Sequence, residues 1–196
     1  MNILFFDTET TGLPVELSDG SVRWPRLVQL ACLLTDADGR ELESYCTLVR
    51  PVGYRIPQEA TAVHGITTEK AVREGVSVKE AVDAFLSLYD WCDMVVGHNV
   101  EFDEGVIGAE IDRLGAWGGR KKKPTVCTMK PSAELVGIWS ERKQDWKWPK
   151  LIELHWKLFG CGFEGAHDAL CDIRATARCY FELVKRGVLE GGDHET

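Results

Sequence analysis

Ile3-Leu4-Phe5-Phe6-Asp7-Thr8-Glu9-Thr10-Thr11-Gly12 stands almost at the start of the chain. Four consecutive large apolar side chains suit a strand buried on both faces, and the spacing predicts one over residues 2–7. Side chains along a strand alternate between faces, so Asp7 and Glu9, two apart, share a face at the strand end. Two carboxylates on a rigid strand are a platform for a hard divalent cation. Magnesium takes oxygen ligands in near-octahedral geometry and keeps waters or phosphate oxygens in its shell.

Outward from that strand, residues 26–35 and 41–50 read as two more, joined by the turn Asp36-Ala37-Asp38-Gly39; so short a loop implies an antiparallel hairpin. Ser77-Val78-Lys79-Glu80 is a capping box, and Val78, Ala81, Val82, Phe85 and Leu86 follow at helical spacing to about Tyr89. A short buried strand is predicted at 94–97, a helix from Val100 to Leu114 stopped by Gly115, and a strand from Thr125 to Thr128. Leu170, Ile173, Ala177, Tyr180, Phe181 and Val184 mark a last long helix ending near Gly187. Strands first and alternating elements afterwards predict one α/β domain over residues 1–187, with 188–196 a disordered tail. Segments 14–25 and 116–149, rich in proline, read as long irregular loops.

With 196 residues and 44% hydrophobic content the chain can bury a full core. No apolar stretch approaches the roughly 20 residues of a membrane-spanning helix, and no basic flank of a signal peptide precedes Ile3, so a cytoplasmic location without membrane contact is expected. Seven cysteines, an odd number without a Cys-x-x-Cys pair, argue against a disulfide framework and a zinc site. Cys32, Cys46 and Cys179 lie in apolar runs and read as core thiols. The net charge of −8 counts against a polyanionic partner unless bound cations neutralise part of it. Basic clusters remain at Arg120-Lys121-Lys122-Lys123 and at Arg142-Lys143 with Lys147 and Lys150. The first has the plainer reading of a solvated loop.

Two further blocks carry chemistry. Gly97-His98-Asn99-Val100-Glu101-Phe102-Asp103 closes on an acid, and His167-Asp168-Ala169-Leu170-Cys171-Asp172 sets a histidine five residues before another. Phosphodiester hydrolysis needs an activated water and a stabilised leaving oxygen, and two metals about 3.5 to 4 Å apart can serve both. Four acids and no sulfur fit that need. Histidine suits the general base, since its ordinary pKa of about 6.5 lets it take a proton near neutrality. Singly, each block has a plainer reading as a strand end, an N-cap or a helix start; their order, each beside a core element, favours one site.

Asp7-x-Glu9-Thr10-Thr11-Gly12, Gly97-His98-Asn99-x-x-Phe102-Asp103 and His167-x-Ala169-x-x-Asp172 together resemble the three motifs of the DEDD (DnaQ-like) 3'→5' exonuclease superfamily. The histidine marks the DEDDh branch, because the tyrosine branch's position is Asp168 here. The wording is similar to the proofreading epsilon type of bacterial DNA polymerase III. The resemblance implies a ribonuclease H-like fold, a five-stranded mixed sheet flanked by helices. It implies two divalent metal ions, Mg2+ or Mn2+, the first held by Asp7, Glu9 and Asp172, the second by Asp7 with Asp103 through water. His167 would be the general base. Ile56 to Thr67, containing Val63-His64-Gly65-Ile66, resembles the family's substrate-contacting segment. By that comparison Thr8, Thr10, Leu13, Glu59 and His64 are substrate residues, Thr10 near the 3' hydroxyl and Leu13 as an apolar wedge. His98, Asn99 and Phe102 complete that set by shaping the loop that presents Asp103, with a core role for Phe102 favoured over stacking.

The expected partner is nucleic acid with a free 3' end, DNA ahead of RNA, as in DNA repair or proofreading. The alternatives are an exoribonuclease acting on RNA or short oligoribonucleotides, and a non-catalytic binding module. A polymerase partner and the oligomeric state stay open; Trp24, Trp117 and Trp139 are candidates for a contact surface. The Trp139 to Trp156 segment departs from the family pattern: Trp146 and Trp148 beside Arg142 and Lys143 could stack bases and hold phosphate, or Trp148 could pack the following helix with Leu151, Leu154 and Leu158.

Overall fold

The computed structural model describes residues 1–165 and 168–190. Along the chain come β1 (Asn2–Thr10), two-residue strands β2 (Val15–Glu16) and β3 (Val22–Arg23), β4 (Leu27–Asp36) and β5 (Glu41–Leu48). Helices α1 (Gln58–His64), α2 (Thr68–Glu74) and α3 (Val78–Trp91) follow. The second half holds β6 (Met94–Gly97), α4 (Val100–Leu114), β7 (Thr125–Cys127), α5 (Ala133–Val136), β8 (Trp139–Ser140), β9 (Asp145–Trp146), α6 (Leu151–Phe159) and α7 (Ala169–Lys185). The main sheet is mixed and five-stranded, in the order β5-β4-β1-β6-β7. β1 is antiparallel to β4 and parallel to β6, and β6 is parallel to β7.

β1 is central because its apolar run feeds both layers. Leu4 and Phe6 join the core under α3 and α4, with Phe85, Leu86, Val106 and Ile107. Ile3 and Phe5 point the other way, onto Ala169, Ile173, Ala177 and Tyr180 of α7. That helical stripe, spaced by four and then three residues, lays one face of α7 on the sheet. Phe5 meets Tyr180 edge-on at 5.6 Å. Each large side chain so buried contributes roughly 1.5–3 kcal/mol.

The strand runs three residues beyond the expected end, because β4 stays in register as far as Glu9 opposite Gln29. β6 pairs with β1 only through Phe5. Beyond that point the β6 side of β1 is open, and the acids of β1 lie beside the gap. Asn99 turns the chain there with φ 71, a left-handed conformation asparagine tolerates, and starts α4.

Other expectations shift. The loop at 14–25 contains the β2–β3 hairpin, and 116–149 contains β7, α5 and the β8–β9 hairpin. Cys32 and Cys179 are buried as expected, but Cys46 is exposed, because β5 is an edge strand with one side to water. Trp24 is no free surface residue: it packs on α4 where only glycine fits, a Cβ on Gly105 falling 2.1 Å from its ring. Trp117 rests on Tyr89 at 5.6 Å and joins the core, whereas Trp139 is exposed. Arg120 pairs with Asp90 and Lys122 with Glu104, so half of that basic run is pinned. Val188 and Leu189, placed by sequence in a loose tail, pack against the α6–α7 core. Among the described residues no helix is long and apolar enough to cross a membrane.

Candidate active site

Strand alternation and the α7 packing bring three acids together. Asp7 and Glu9 continue the Ile3/Phe5 face of β1, and Asp172 lies in the first turn of the helix packed on that face. One carboxylate oxygen from each lies within 4.8 Å of the others. Asp168 fixes the start of α7, its carboxylate accepting the Leu170 and Cys171 N–H groups at 3.1 and 3.2 Å.

Asp103 reaches the same region from the opposite layer. It is buried, and its Oδ1 accepts the Thr8 N–H at 3.0 Å and the Thr8 hydroxyl at 2.6 Å. The Thr8 N–H lies beyond the stretch paired with β6, so an acid from α4 satisfies a donor that a neighbouring strand would otherwise take. Thr8, expected on the substrate side, spends its hydroxyl positioning Asp103, although it still lines the cleft beside Glu9.

The four acids destabilise one another's charge. Burial, then Asp103, Glu9 and Asp172, holds Asp7 well above the usual carboxylate range. Glu9 is pushed from its ordinary 4.5 to about 8, by burial first and then by Asp172, Asp103 and Asp168. Burial carries Asp103 to about 7 against the opposing pull of the Thr8 hydrogen bonds. Among the described residues no lysine or arginine offsets these charges at Asp7, Glu9 or Asp103. An all-oxygen, mutually repelling set fits a hard divalent cation, which would restore the ionised forms.

Beside the acids, Glu9, Thr10, Leu13, Glu59, His64 and Phe102 line a cleft of about 400 Å3. Its rim is built by the loop after β1. The Thr10 hydroxyl donates to Gly12 O at 2.7 Å, Gly12 takes φ +144, open to glycine alone, and Leu13 is left 79% exposed. Thr11 and Arg26 hold the loop to β4 through two hydrogen bonds, Thr11 N–H to Arg26 O at 3.0 Å and Arg26 N–H to Thr11 Oγ1 at 2.9 Å. His64 Nδ1 accepts the Ile66 N–H at 3.1 Å, which leaves the proton on Nε2, 3.3 Å from Thr10 O. Phe102 faces the cleft and also meets Trp24 edge-on at 6.3 Å, so it serves core and cleft together.

His98 is engaged elsewhere. Its Nδ1 lies 3.0 Å from Thr128 Oγ1 and its Nε2 2.9 Å from Pro149 O, so the ring ties the end of β6 to the segment before α6 and has no nitrogen left for substrate. Burial lowers its pKa, favouring the neutral ring. Asn99 contributes its backbone turn, with no side-chain cap bond. His167 lies outside the described residues. Sequence reasoning passed over Gln29, which is buried opposite Glu9 on β4 and lines an adjoining cleft with His64, Lys70 and Asp168. Its signal was a lone polar residue in the apolar run Leu27–Leu34.

Residues 4–180 match a family model described as Exonuclease. An uncharacterized exonuclease, CP81, of Escherichia phage 186 is 33% identical over 192 residues, covering 94% of this chain and 89% of that protein. A DNA polymerase III subunit epsilon-like protein of Rhodobacter capsulatus is 30% identical, over 94% of this chain and 24% of its own length. Among solved structures, E. coli exonuclease I in complex with a 5cy-dT13 oligonucleotide superposes with a TM-score of 0.73 at 22% identity, over 94% of this chain and 41% of that one. That likeness assigns the ribonuclease H-like fold, and the chain spans well under half of the larger proteins. By sequence match along nearly its whole length, the chain belongs to the exonuclease family of the DEDD (DnaQ-like) superfamily, nuclease hydrolases that depend on divalent metal ions.

Proposed function

We propose that this chain is a two-metal-ion 3'→5' exonuclease that removes nucleoside 5'-monophosphates from the 3' end of DNA, in repair or proofreading in the cytoplasm. The observation that carries the reading is the convergence of Asp7, Glu9 and Asp172 within 4.8 Å, with Asp103 held beside them by Thr8. Asp7, Glu9 and Asp172 would hold one ion, Asp7 and Asp103 the other. Bound Mg2+ or Mn2+ supplies charge neutralisation and Lewis-acid polarisation of the phosphoryl oxygens.

The chain's own residues do the rest. His167 accepts a proton from the attacking water as the new phosphorus–oxygen bond forms. The bond to the 3' oxygen of the penultimate nucleotide breaks, and that oxygen takes a proton from solvent water to leave as the new 3' hydroxyl. Thr10, Leu13, Glu59, His64 and Phe102 would hold the terminal nucleotide in the cleft. DNA is favoured by relatives named for DNA polymerase III and by the structural neighbour complexed with a deoxyoligonucleotide.

The test is a time course on matched 5'-labelled single-stranded DNA and RNA in Mg2+, with His167→Ala and EDTA controls. A ladder shortening from the 3' end of DNA, lost in both controls, is the expected result. Faster loss of RNA would make the chain an exoribonuclease. Binding without cleavage of either would leave a nucleic-acid-binding module.

A further inference from the structure

The aromatic and basic β8–β9 hairpin lies outside the cleft and has no part in the chemistry above. Trp139 and Trp146 face each other across it, edge to face at 5.3 Å, and Arg142 and Lys143 sit in its turn. Trp139 and Trp148 are each 47% exposed and Trp156 59% exposed. Trp148 does not pack α6 with the buried Leu154 and Leu158; Lys143 Nζ stands 4.1 Å from its ring centre and Lys130 Nζ 5.4 Å. In a chain of net charge −8, residues 139–157 carry Arg142, Lys143, Lys147, Lys150 and Lys157 against only Glu141, Asp145 and Glu153. Lys147 is taken up by Glu153, but among the described residues no acid pairs with Arg142 or Lys143.

Two contacts fix this surface to the active-site end of the sheet. Pro149 O is held by His98, the residue before Asn99 and α4. Lys130, beside Trp148, also pairs with Glu101 at 2.6 Å, and Glu101 is followed directly by Phe102 of the cleft and by Asp103. An exposed indole with the unpaired Lys143 over its ring, coupled to a phosphodiester site, has the chemistry of a single-strand platform: base on ring face, phosphate on ammonium. An apolar protein partner would use the indoles but would leave the cations unanswered.

We propose that the β8–β9 hairpin and Trp148 hold the single-stranded DNA on the 5' side of the terminal nucleotide, a base stacking on Trp148 while Lys143 and Arg142 meet adjoining phosphates. A lysine over an exposed indole is held weakly in water, so Lys143 exchanges the ring for a phosphate as the base arrives. The polarity rests on the 3'→5' reading of the cleft; the platform itself does not need cleavage.

The experiment is fluorescence anisotropy with 5'-fluorescein deoxythymidine oligomers of about 20 and of three nucleotides, in Ca2+, across a salt series, using wild type, Trp148→Ala and Lys143→Gln. Trp148→Ala should weaken the long strand by about 5- to 150-fold and the trimer far less. Lys143→Gln should reduce the slope of log affinity against log salt by about 0.7, a change that a packing defect does not produce. Unchanged affinity and slope in both variants would overturn the platform. If Trp148→Ala fails to fold by circular dichroism, the Lys143→Gln slope decides alone. Cleavage of the long strand is followed in parallel: Trp148-dependent binding with no cleavage by wild type keeps the platform and sinks the exonuclease reading, and cleavage with unaltered variant binding does the reverse.

Discussion

Two buried carboxylates on one helix behave in opposite ways. Asp103 and Glu110 stand seven residues apart on α4, two turns along one face, and both are all but excluded from water. Glu110 is surrounded by donors and cations: Arg26 Nε at 2.7 Å, Arg113 Nη1 at 3.0 Å and the Leu27 N–H at 3.2 Å. Among the described residues, Asp103 receives the two Thr8 donors and its own backbone N–H but no cation, and it faces acids, Asp7 and Glu9 among them. A carboxylate kept for the fold is paired, because removing a buried charge from water is costly. One kept buried among other acids marks a place where a cation is to be supplied from outside.

The sharpest break of this comparison is a pair of isosteric changes. Asp7→Asn should cut cleavage by roughly 100-fold or more, since the stabilisation lost with a metal ligand is worth several kcal/mol. The same change removes a repelled charge, so the metal-free protein should melt at the same temperature or higher. Glu110→Gln should do the opposite. It loosens Arg26 and the loop held by Thr11, at a cost of about 2 kcal/mol, with turnover per folded molecule changed little. Initial rates and thermal melts on both proteins check the pair, and a Glu110→Gln protein as inactive as Asp7→Asn yet undiminished in stability would erase the distinction.

A smaller effect tests the Thr8 link itself. Thr8→Val keeps the shape and the backbone donor and deletes the hydroxyl that approaches Asp103 at 2.6 Å. Groups that orient metal-binding carboxylates are worth about 10- to 100-fold, so turnover should fall by roughly tenfold while stability falls by about 1 kcal/mol. A melt changed as expected but an unaltered rate would mean that Thr8 only fills the sheet gap.

The sequence was legible where local rules decide. The run Ile3–Phe6, the Ser77 cap and the Gly115 stop announced β1, α3 and α4, and the two-residue spacing of Asp7 and Glu9 placed them on one face. Helices α1 and α2 were missed: each has seven residues and one buried alanine, Ala60 or Ala71, too little to show a period, and α1 begins after Pro57 with no side-chain cap. The end of β1 was misjudged because pairing with β4, not the apolar run, sets it. Partnerships across the chain left no local trace: Thr8 with Asp103, Arg26 with Glu110, His98 with Pro149. Hence the acids that gather beside β1 could be picked out from sequence, while the hydrogen bond of Thr8 to Asp103 could not.

The effect most specific to the acid cluster is its pH signature. Glu9 and Asp103 have folded pKa values of about 8 and about 7, above their ordinary 4.5 and 3.8. Between those limits the folded chain keeps protons that the unfolded chain has released, so stability falls as pH rises. The contribution is whole below the ordinary values and is drained as pH passes through about 7 and then about 8. In EDTA the melting temperature should therefore decline from about pH 5 to about pH 9, with the loss ending near the folded values. Mg2+ competes with those protons, so its stabilising shift should grow with pH over the same window, and Glu9→Gln should shrink both trends. The acids whose values are lowered, such as Asp36 and Asp90, lose their contribution only in the acid range and do not mask the slope. A metal-free melting temperature that climbs from about pH 5 to about pH 9 would show that the cluster carries its charge without strain, and the contrast with Glu110 would then have no physical basis.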